Sequence, residues 1–423
     1  MKTDIVIAGC GVSGLFCALN LPKDKNITVI TKTSMEESDS FLAQGGICVQ
    51  HDDADYDAFF EDTLKAGRYE NKHESVDIMI RSSRDVIKEL VSFGVEFEQD
   101  NNGFKYTREG AHSRPRILYS KDQTGREITS KLLARAKERR NITILEHTTA
   151  VDILLSDDVC AGLFCFDEKG DVLTIEADYT VLATGGIGGL FTHSTNFPHL
   201  TGDALAIALR HNLPLKNIDY IQIHPTTLYT QKKGRKFLIS ESVRGEGAVL
   251  LNAEGKRFVD ELLPRDVVSQ AIFRQMETEG SDHVWLSLQP IPKSEIAEHF
   301  PNICEKCLEE GYDVMREPIP VVPSQHYFMG GVDVNSQSMT SMCRLYAVGE
   351  TACNGVHGKN RLASNSLLES LVFAKRAAND ITANYIPLNG NVTVPDKNQY
   401  TDWAEKYKKS VLDAIEKEKN NHE

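Results

Sequence analysis

The N-terminal segments alternate between apolar and glycine-rich in the order of a βαβ unit. A short apolar run at residues 4–8 predicts a strand, the sequence Gly-Cys-Gly-Val-Ser-Gly follows at residues 9–14, and residues 15–21 have helical periodicity. A second apolar run at residues 27–31 predicts the next strand. This order is typical of a doubly wound, Rossmann-like sheet, so the pattern predicts an α/β fold.

The segments after this unit continue the alternation of helix and strand. Residues 56–93 have helical periodicity, and a turn-rich sequence follows at residues 101–103. Further apolar strands are predicted at residues 141–146 and 179–183. The first domain therefore extends well beyond the N-terminal unit.

The pattern changes in the middle of the chain. From residue 220 to about 325, short apolar segments are interrupted by Gly and Pro, and apolar and glycine signals return at residues 344–350. A chain of 423 residues is long enough for two domains, so we predict that the first domain is interrupted by a second. The predicted parts are a nucleotide-binding domain over 1–219 and 327–385, an inserted α+β capping domain over 220–326, and a short C-terminal helical segment over 386–423.

The charge and apolar content exclude some classes of partner. A net charge of −14 disfavours binding to nucleic acid, and no apolar run reaches the roughly 18 residues that would span a membrane. The first residues predict a strand rather than a signal peptide. Scattered cysteines, odd in number, suit free thiols in a reducing compartment, which predicts a cytoplasmic protein. They are Cys10, Cys17, Cys48, Cys160, Cys165, Cys304, Cys307, Cys343 and Cys353.

Two further local patterns have ordinary explanations. The spacing of Cys304 and Cys307 is that of half a metal or redox site, but no second ligand pair lies nearby and the segment has helical character. We therefore predict structural thiols and no metal. Residues 232–236 (Lys-Lys-Gly-Arg-Lys) form a basic turn, interpreted as a solvated loop with substrate steering as the alternative.

The glycine sequence at residues 9–14 lies between a predicted strand and a predicted helix, the setting that a dinucleotide site needs. Glycine allows the tight turn and the close approach of backbone to pyrophosphate, and the helix N-terminus supplies amide donors. The second strand ends in Thr31 and Lys32 rather than in an acidic residue. Contacts to the ribose and phosphates must therefore come from other groups, with Lys32 as one candidate.

A second nucleotide-fold signature indicates FAD more than NAD. An apolar strand at residues 181–186 ends in Thr-Gly-Gly, where small residues can lie against a flat ligand. Residues 38–46 add small side chains and backbone amides suited to a flavin ring.

Taken together, these motifs resemble the flavoprotein family that contains succinate dehydrogenase, fumarate reductase and L-aspartate oxidase. The resemblance covers about residues 3–385, and its motifs occur in the expected order. Besides the N-terminal glycines they are residues 43–47 (AQGGI), 183–186 (ATGG), 201–203 (TGD), 224–226 (HPT), 244–247 (RGEG), 264–266 (PRD), 325–327 (QHY), 348–350 (VGE) and 360–368 (NRLASNSLL).

The resemblance implies a Rossmann-like FAD-binding domain and a set of cofactor contacts. Membrane-bound members attach FAD to a histidine five positions before the Gln of the Gln-Gly-Gly motif, and this chain has Asp39 there. FAD is therefore expected to bind non-covalently. The motifs and the resemblance give as cofactor-binding residues Gly9, Cys10, Gly11, Val12, Ser13, Gly14, Lys32, Ser40, Phe41, Leu42, Ala43, Gln44, Gly45, Gly46, Thr184, Gly185, Asp203, Glu350, Asn365, Ser366 and Leu367.

A four-carbon dicarboxylate needs donors at both ends, and Arg and His are suitable ones. Each candidate also has an ordinary interpretation, such as a loop residue for His224 or an ion pair between Arg265 and Asp266. The resemblance implies one carboxylate site at His224 and Ser240 and the other at His326 and Arg361.

The same resemblance implies the catalytic groups. It makes Arg265 the group that handles the proton, and Glu241 and Arg244 resemble a relay to it. In the segment at residues 108–114, Glu109 matches the carboxylate that faces the substrate amine in the aspartate-oxidising members. The alternative for Glu109 is a solvated loop residue.

The implied function is the oxidation of L-aspartate to iminoaspartate, with hydride transfer to flavin N5 and reoxidation by oxygen or fumarate. In the family this is the first step of de novo NAD biosynthesis through quinolinate, which suggests a functional link to quinolinate synthase. The main alternative is a soluble fumarate reductase acting on fumarate and succinate. A flavin-binding subunit or sensor without turnover is the alternative from another class, and the dicarboxylate residues argue against it.

Overall fold

The structure is a computed structural model that describes residues 1–101 and 103–422. The strands are β1 (Lys2–Ala8), β2 (Ile27–Ile30), β3 (Ile47–Cys48), β4 (Gln99–Asp100), β5 (Gly103–Phe104), β6 (Ile117–Leu118), β7 (Ile142–Leu145), β8 (Thr149–Ser156), β9 (Val159–Phe166), β10 (Val172–Leu182), β11 (Leu215–Lys216), β12 (Ile221–Leu228), β13 (Val249–Leu251), β14 (Val284–Ser287), β15 (Ile319–Phe328), β16 (Gly331–Asp333), β17 (Leu345–Ala347) and β18 (Ala352–Cys353). The α-helices are α1 (Val12–Asn20), α2 (Asp39–Leu42), α3 (Tyr56–Ala66), α4 (His73–Ser92), α5 (Thr124–Glu138), α6 (Asp203–Arg210), α7 (Glu241–Gly245), α8 (Arg265–Glu279), α9 (Lys293–His299), α10 (Pro301–Glu309), α11 (Asn365–Ala383) and α12 (Trp403–His422).

A seven-stranded sheet forms the centre of the molecule. Its order is β7-β2-β1-β10-β9-β8, and β17 pairs with the C-terminal part of β10. The strands β7, β2, β1, β10 and β17 run parallel, while β9 pairs antiparallel with both β10 and β8. This arrangement confirms the predicted α/β class with a Rossmann-like sheet.

The alternation of β1 explains how both faces of the sheet are covered. Ile5 and Ile7 belong to a core that includes α1, α4, α5 and α11, whereas Val6 and Ala8 belong to a core on the opposite face with α6. Successive side chains of a strand point to opposite faces, so a run that is apolar at every position is buried on both.

The antiparallel ribbon of β8, β9 and β10 was not predicted from the sequence. Only residues 179–183 of β10 were assigned as strand, although β10 begins at Val172. Nearly every residue of β9 is buried, so the ribbon lacks the alternation of apolar and polar residues that identifies a half-exposed strand.

Residues 56–93 form two helices, α3 and α4, separated by a tight connection. Arg68 and Tyr69 both have φ of 60° in this connection, a left-handed conformation that no helix can continue through. A Cβ on Gly67 would lie 2.2 Å from the Asn71 side chain, so the turn also needs a glycine.

A second, four-stranded sheet has the order β12-β15-β14-β13 and is antiparallel throughout. Its core includes Leu228, Ile272 and Ile303 from β12, α8 and α10. The predicted domain boundary at residue 326 falls inside β15, which continues to Phe328.

The C-terminal helix α12 packs its apolar stripe against the first domain. Val411 and Ile415 are buried beside Ile187 and Leu205, and Trp403 contacts Phe166. A Cβ on Gly202 would lie 3.4 Å from Val411. The helix therefore supports the segment that carries Asp203.

Candidate active site

One cleft begins at the carboxyl ends of the parallel strands β1, β2 and β10 and continues to the second sheet. In doubly wound folds, ligands bind at this edge of the sheet. Its wall includes the glycine loop after β1, the Gln-Gly-Gly segment and residues from β12 and β15. The cleft thus joins the two groups of residues that the sequence assigned to cofactor and substrate.

The glycine loop is fixed by close backbone contacts. Gly9 has φ of 125°, and a Cβ there would lie 1.9 Å from the carbonyl oxygen of Ala183. A Cβ on Gly14 would lie 2.0 Å from the carbonyl oxygen of Gly9. Because no side chain fits at either position, the loop brings the N-terminus of α1 to the cleft, where its amides and dipole favour an anion.

Lys32 lies at the end of β2 and pairs with an acidic residue from a distant part of the chain. Its Nζ is 3.0 Å from Asp203 Oδ2 and donates to Thr201 Oγ1 at 3.0 Å. Asp203, the first residue of α6, therefore brings to this edge the carboxylate that the end of β2 lacks.

Two histidines of the second sheet meet in the cleft. His224 on β12 and His326 on β15 have ring centroids 5.4 Å apart, because the two strands pair in this register. Burial and the charge of Arg265 hold the pKa of His224 well below the ordinary histidine value. Burial and the charge of Arg361 do the same to the pKa of His326, so both rings are favoured in the neutral form, in which one ring nitrogen can donate.

The His326 ring is held by a neighbouring segment. Its Nδ1 lies 2.8 Å from Thr195 Oγ1. Ser240, which also lines the cleft, is the N-cap of α7, and its Oγ accepts from the Ser242 amide at 3.4 Å.

Arg265 is the first residue of α8 and lies between two side chains. Its Nε donates to Glu241 Oε2 at 2.6 Å, and its Nη1 donates to Gln222 Oε1 at 3.1 Å. The alternative pairing of Arg265 with Asp266 is not seen, because Asp266 pairs with Arg68 at 2.5 Å.

Glu241 is ionised in this surrounding. Burial raises its pKa, but the charges of Arg265 and Arg244 outweigh burial and leave the pKa lowered. Arg244 is not among the residues that line the cleft, and its Nη1 donates to the Glu261 carbonyl at 2.6 Å. Arg244 acts on Glu241 through its charge.

Arg361 is 6% exposed and has a free donor. Its Nη1 donates to Ser366 Oγ at 3.2 Å, and its guanidinium lies 4.7 Å from the centre of the Tyr327 ring. Within the described residues its Nε has no hydrogen-bond partner. Burial and the charge of Arg265 lower the pKa of Arg361 to about 10. A carboxylate in the cleft would accept a hydrogen bond from this Nε and offset the cost of burying the guanidinium.

Glu109 reaches the same cleft from the connection between β5 and β6. Its Oε2 accepts from Ser364 Oγ at 2.7 Å, and its Oε1 would lie 2.9 Å from a Cβ on Gly45. Burial raises the pKa of Glu109 above the ordinary value, although Arg265 and Arg361 act in the opposite direction. The cleft therefore offers two guanidiniums and two neutral imidazoles for a dianion, and the Glu109 carboxylate, which a cation would stabilise.

The sequence matches the FAD binding domain family over residues 4–367. It is 51% identical over 381 residues to L-aspartate oxidase from Clostridium perfringens, and the match covers 90% of this chain and 87% of that protein. L-aspartate oxidase from Clostridium acetobutylicum is 48% identical, with 90% of this chain and 88% of that protein covered. The chain belongs to the L-aspartate oxidase family.

The fold agrees with this family. A quinol fumarate reductase from E. coli superimposes with a TM-score of 0.85 at 29% identity, covering 99% of this chain and 74% of that one. The expected FAD-binding fold and the FAD cofactor are thereby confirmed.

The residues of the cleft fit the FAD of the L-aspartate oxidase family. Besides the glycine loop, the cleft has two unpartnered polar atoms that are buried within the described chain, Ser38 Oγ and Asp39 Oδ2. Of the residues assigned to the cofactor from sequence, those that line the cleft are Gly9, Cys10, Gly11, Val12, Ser13, Lys32, Ser40, Leu42, Ala43, Gln44, Gly45, Gly46, Thr184, Gly185, Asp203, Glu350, Ser366 and Leu367.

Three assigned cofactor residues do not line the cleft. Gly14 packs against the backbone of the glycine loop at Gly9, and Phe41 packs against the core of the first domain. Asn365 is fully buried and its amide donates to Thr63 Oγ1 at 3.2 Å. Their placement allows them to support the loops around a cofactor.

Sequence reasoning missed several residues of the wall. Thr195 and Asn196 line the cleft but lie in a segment without a recognisable motif, and Arg235, which also lines it, belongs to the basic turn that was interpreted as a solvated loop. The sequence singled out Asp39 only because it stands where membrane-bound relatives have the histidine that attaches FAD. Its carboxylate accepts from the Phe197 amide at 2.9 Å, and burial raises its pKa to about 7. Residues 192–197 could be found only through the three-dimensional pairing of Ser194 with Gln325.

Two other features of the described chain bear on the sequence predictions. Over residues 1–101 and 103–422, no helix has the length and apolar character to cross a membrane, and no group of three or more His, Cys, Asp or Glu could hold a metal ion. All nine cysteines are free thiols, most of them buried, with Cys343 exposed.

Proposed function

We propose that this chain catalyses the FAD-dependent oxidation of L-aspartate to iminoaspartate. The observation that carries the proposal is Glu109, a carboxylate in the same cleft as Arg265 and Arg361. Arg361 and the two histidines suit the two carboxylates of a four-carbon substrate, and Glu109 suits its ammonium. The relatives at 48% and 51% identity are L-aspartate oxidases, which supports the same choice.

FAD, when bound, supplies the acceptor for the hydride that leaves the substrate α-carbon. The glycine loop and the N-terminus of α1 would hold its pyrophosphate, and Lys32 with Asp203 would hold the ribose end. Residues 220–326 would act as a capping unit that brings the substrate residues to this cofactor.

FAD is held without a covalent bond in this proposal, because Asp39 occupies the position of the histidine that attaches it in membrane-bound relatives. Acid precipitation of the yellow protein should release the flavin into the supernatant, where its absorbance is measured. Flavin that stays with the washed pellet would contradict this expectation.

The two ends of the substrate would be bound by different pairs of residues. His224 and Ser240 would take one carboxylate, and His326 with Arg361 would take the other. The free Nε of Arg361 supports this assignment, since a buried donor without a partner costs free energy that a carboxylate removes. The imidazoles donate as neutral groups and need no proton uptake.

Arg265 would relay the proton that leaves the substrate amine, passing its Nε proton to the ionised Glu241 as it takes up the proton from the amine. An arginine is a poor base because its ordinary pKa exceeds about 12, so the site must favour proton transfer. Glu241 accepts from Arg265 at 2.6 Å, which gives the proton a route away from the substrate, and the charge of Arg244 helps to keep Glu241 ionised. We propose Arg265, Glu241 and Arg244 as this relay.

Glu109 would distinguish aspartate from succinate. A substrate with an ammonium gives the carboxylate a partner, whereas a bare methylene leaves a charge in the cleft without one. This difference argues against the alternative function, a fumarate reductase whose product is succinate.

The pH dependence of kcat/KM for L-aspartate tests these charges. This ratio reports groups of the free enzyme. The carboxylate of Glu109 is needed above its raised pKa and is lost as the pH falls through it, so the profile should have an acid limb above the ordinary glutamate range. Glu109→Gln should remove that limb. If the acid limb persists in Glu109→Gln, it belongs to another group and the role of Glu109 is contradicted. The two histidines are not expected to produce this limb, because their pKa values are well below the ordinary histidine value.

The product suggests where the reaction stands in a metabolic pathway. Iminoaspartate is reactive, and we propose that quinolinate synthase consumes it in the de novo synthesis of NAD, with oxygen or fumarate reoxidising the flavin.

The product also provides the test of the proposed reaction. Iminoaspartate that is not consumed hydrolyses to oxaloacetate and ammonium. The holoenzyme with L-aspartate should therefore release one ammonium for each aspartate oxidised, measured by a coupled ammonium assay. Oxidation of succinate with no consumption of aspartate would favour the alternative.

A further inference from the structure

A second cavity is lined in part by the segment of residues 192–197, which contacts His326 through Thr195. Residues from 188–198 and from 229–236, which include the basic turn, line it together with Met276 and Asp282. We call it the rear cavity. The proposed oxidation does not use it, although Asn196 belongs to its wall and to the wall of the active-site cleft.

The rear cavity contains a buried ammonium. Lys236 is 4% exposed, and its Nζ donates to the carbonyl oxygens of Thr230 and Lys232, each at 2.7 Å. In the part of the chain that the structure describes, no carboxylate lies within ion-pair distance of this Nζ. An ammonium has three donors, and burial of this cation is costly although the charge of Glu310 acts in the opposite direction. One donor of Lys236 is therefore available to an anion.

A histidine adds a second polar group. Nδ1 of His193 is buried and has no hydrogen-bond partner among the described residues. Burial and the charge of Lys236 lower the pKa of His193, which indicates that the two side chains lie near each other. The cavity also has an aromatic wall, since the Tyr229 ring stacks on His283 at 5.0 Å.

The remaining charges leave the rear cavity positive. Lys232 is neutralised by Glu310 at 2.7 Å, and Asp282 is the single carboxylate among the described residues of the wall. Lys233 lines the cavity and, like Lys236, has no ion pair within the described chain. The carboxylates near the cavity are Asp282 in the wall and Glu310, which acts on Lys236 through its charge.

We propose that the rear cavity binds a small oxyanion, a phosphate or carboxylate group, through Lys236 and His193, and that its occupancy changes substrate binding at His326. Two hydrogen bonds connect the rear cavity to His326. The backbone amide of Lys236 donates to the Ser194 carbonyl at 2.7 Å, and the next residue, Thr195, holds Nδ1 of His326 at 2.8 Å. A ligand that moves Lys236 therefore moves the segment that orients the substrate histidine.

Inorganic phosphate is the probe for this site. Isothermal titration of phosphate into oxidised, FAD-loaded enzyme, with and without saturating fumarate at constant ionic strength, should show one site that fumarate does not abolish. Acetate replaces phosphate in a second series to separate phosphate from carboxylate binding. Lys236→Met should weaken the site by about tenfold or more, the loss of a hydrogen bond to a charged group. Lys256→Met, which removes an exposed lysine of the same domain, should leave it unchanged.

A kinetic measurement tests the coupling. Phosphate should shift the KM for L-aspartate in the wild type relative to chloride of equal ionic strength, and the shift should be absent in Lys236→Met. His193→Gln serves the same purpose if Lys236→Met does not fold. The proposal is overturned if neither phosphate nor acetate binds to fumarate-saturated enzyme. It is also overturned if the folded variants bind as the wild type does, or if phosphate leaves the KM unchanged.

Discussion

Arg265→Leu should give a folded, yellow protein that oxidises L-aspartate at least about 100-fold more slowly than the wild type, because a positioned proton acceptor contributes about 10²–10⁴-fold. The fold should survive, since Arg265 is the first residue of α8 and its side chain bonds Glu241 and Gln222 rather than the core. The measurement is kcat for L-aspartate together with the flavin content of the purified variant.

The control for Arg265→Leu lies on the same helix. Arg274 is exposed on α8, so Arg274→Leu makes the same chemical change without altering the cleft, and its kcat should equal that of the wild type. An Arg265→Leu protein with full flavin content and a normal kcat would remove Arg265 from the mechanism.

Glu109→Gln should lower kcat/KM for L-aspartate by about 10- to 100-fold and leave fumarate reduction within a few-fold of the wild type. The size follows from a hydrogen bond to a charged group in a desolvated site, about 1.5–3 kcal/mol. Glutamine keeps the shape and the contact with Ser364, so the effect isolates the charge.

The ratio of aspartate oxidation to fumarate reduction is the informative quantity for Glu109→Gln. Glu96→Gln changes an exposed carboxylate earlier in the chain and should not alter that ratio. If Glu109→Gln lowers both activities equally, Glu109 supports the cleft without selecting the amine.

The glycine loop was predictable because its requirements are local. Gly9 and Gly14 are needed by contacts within one strand-loop-helix unit, and the sequence shows that unit directly. The helical stripe with Val411 and Ile415 was predictable for the same reason, since a period of 3.6 residues is visible along the chain.

Other features depend on contacts between distant segments. Asp203 pairs with Lys32 across 171 residues, and Ser364 bonds Glu109 across 255 residues, so no local pattern indicates either pair. Asp266, adjacent to Arg265 in sequence, pairs with Arg68 because α8 begins where the α3–α4 connection lies.

Anaerobic reduction of the bound flavin tests the central claim most directly. L-Aspartate added to the oxygen-free holoenzyme should bleach the flavin absorbance, and the same concentration of succinate should leave it unchanged. Bleaching by succinate and not by L-aspartate, or by neither, would contradict the assignment of this cleft to aspartate oxidation.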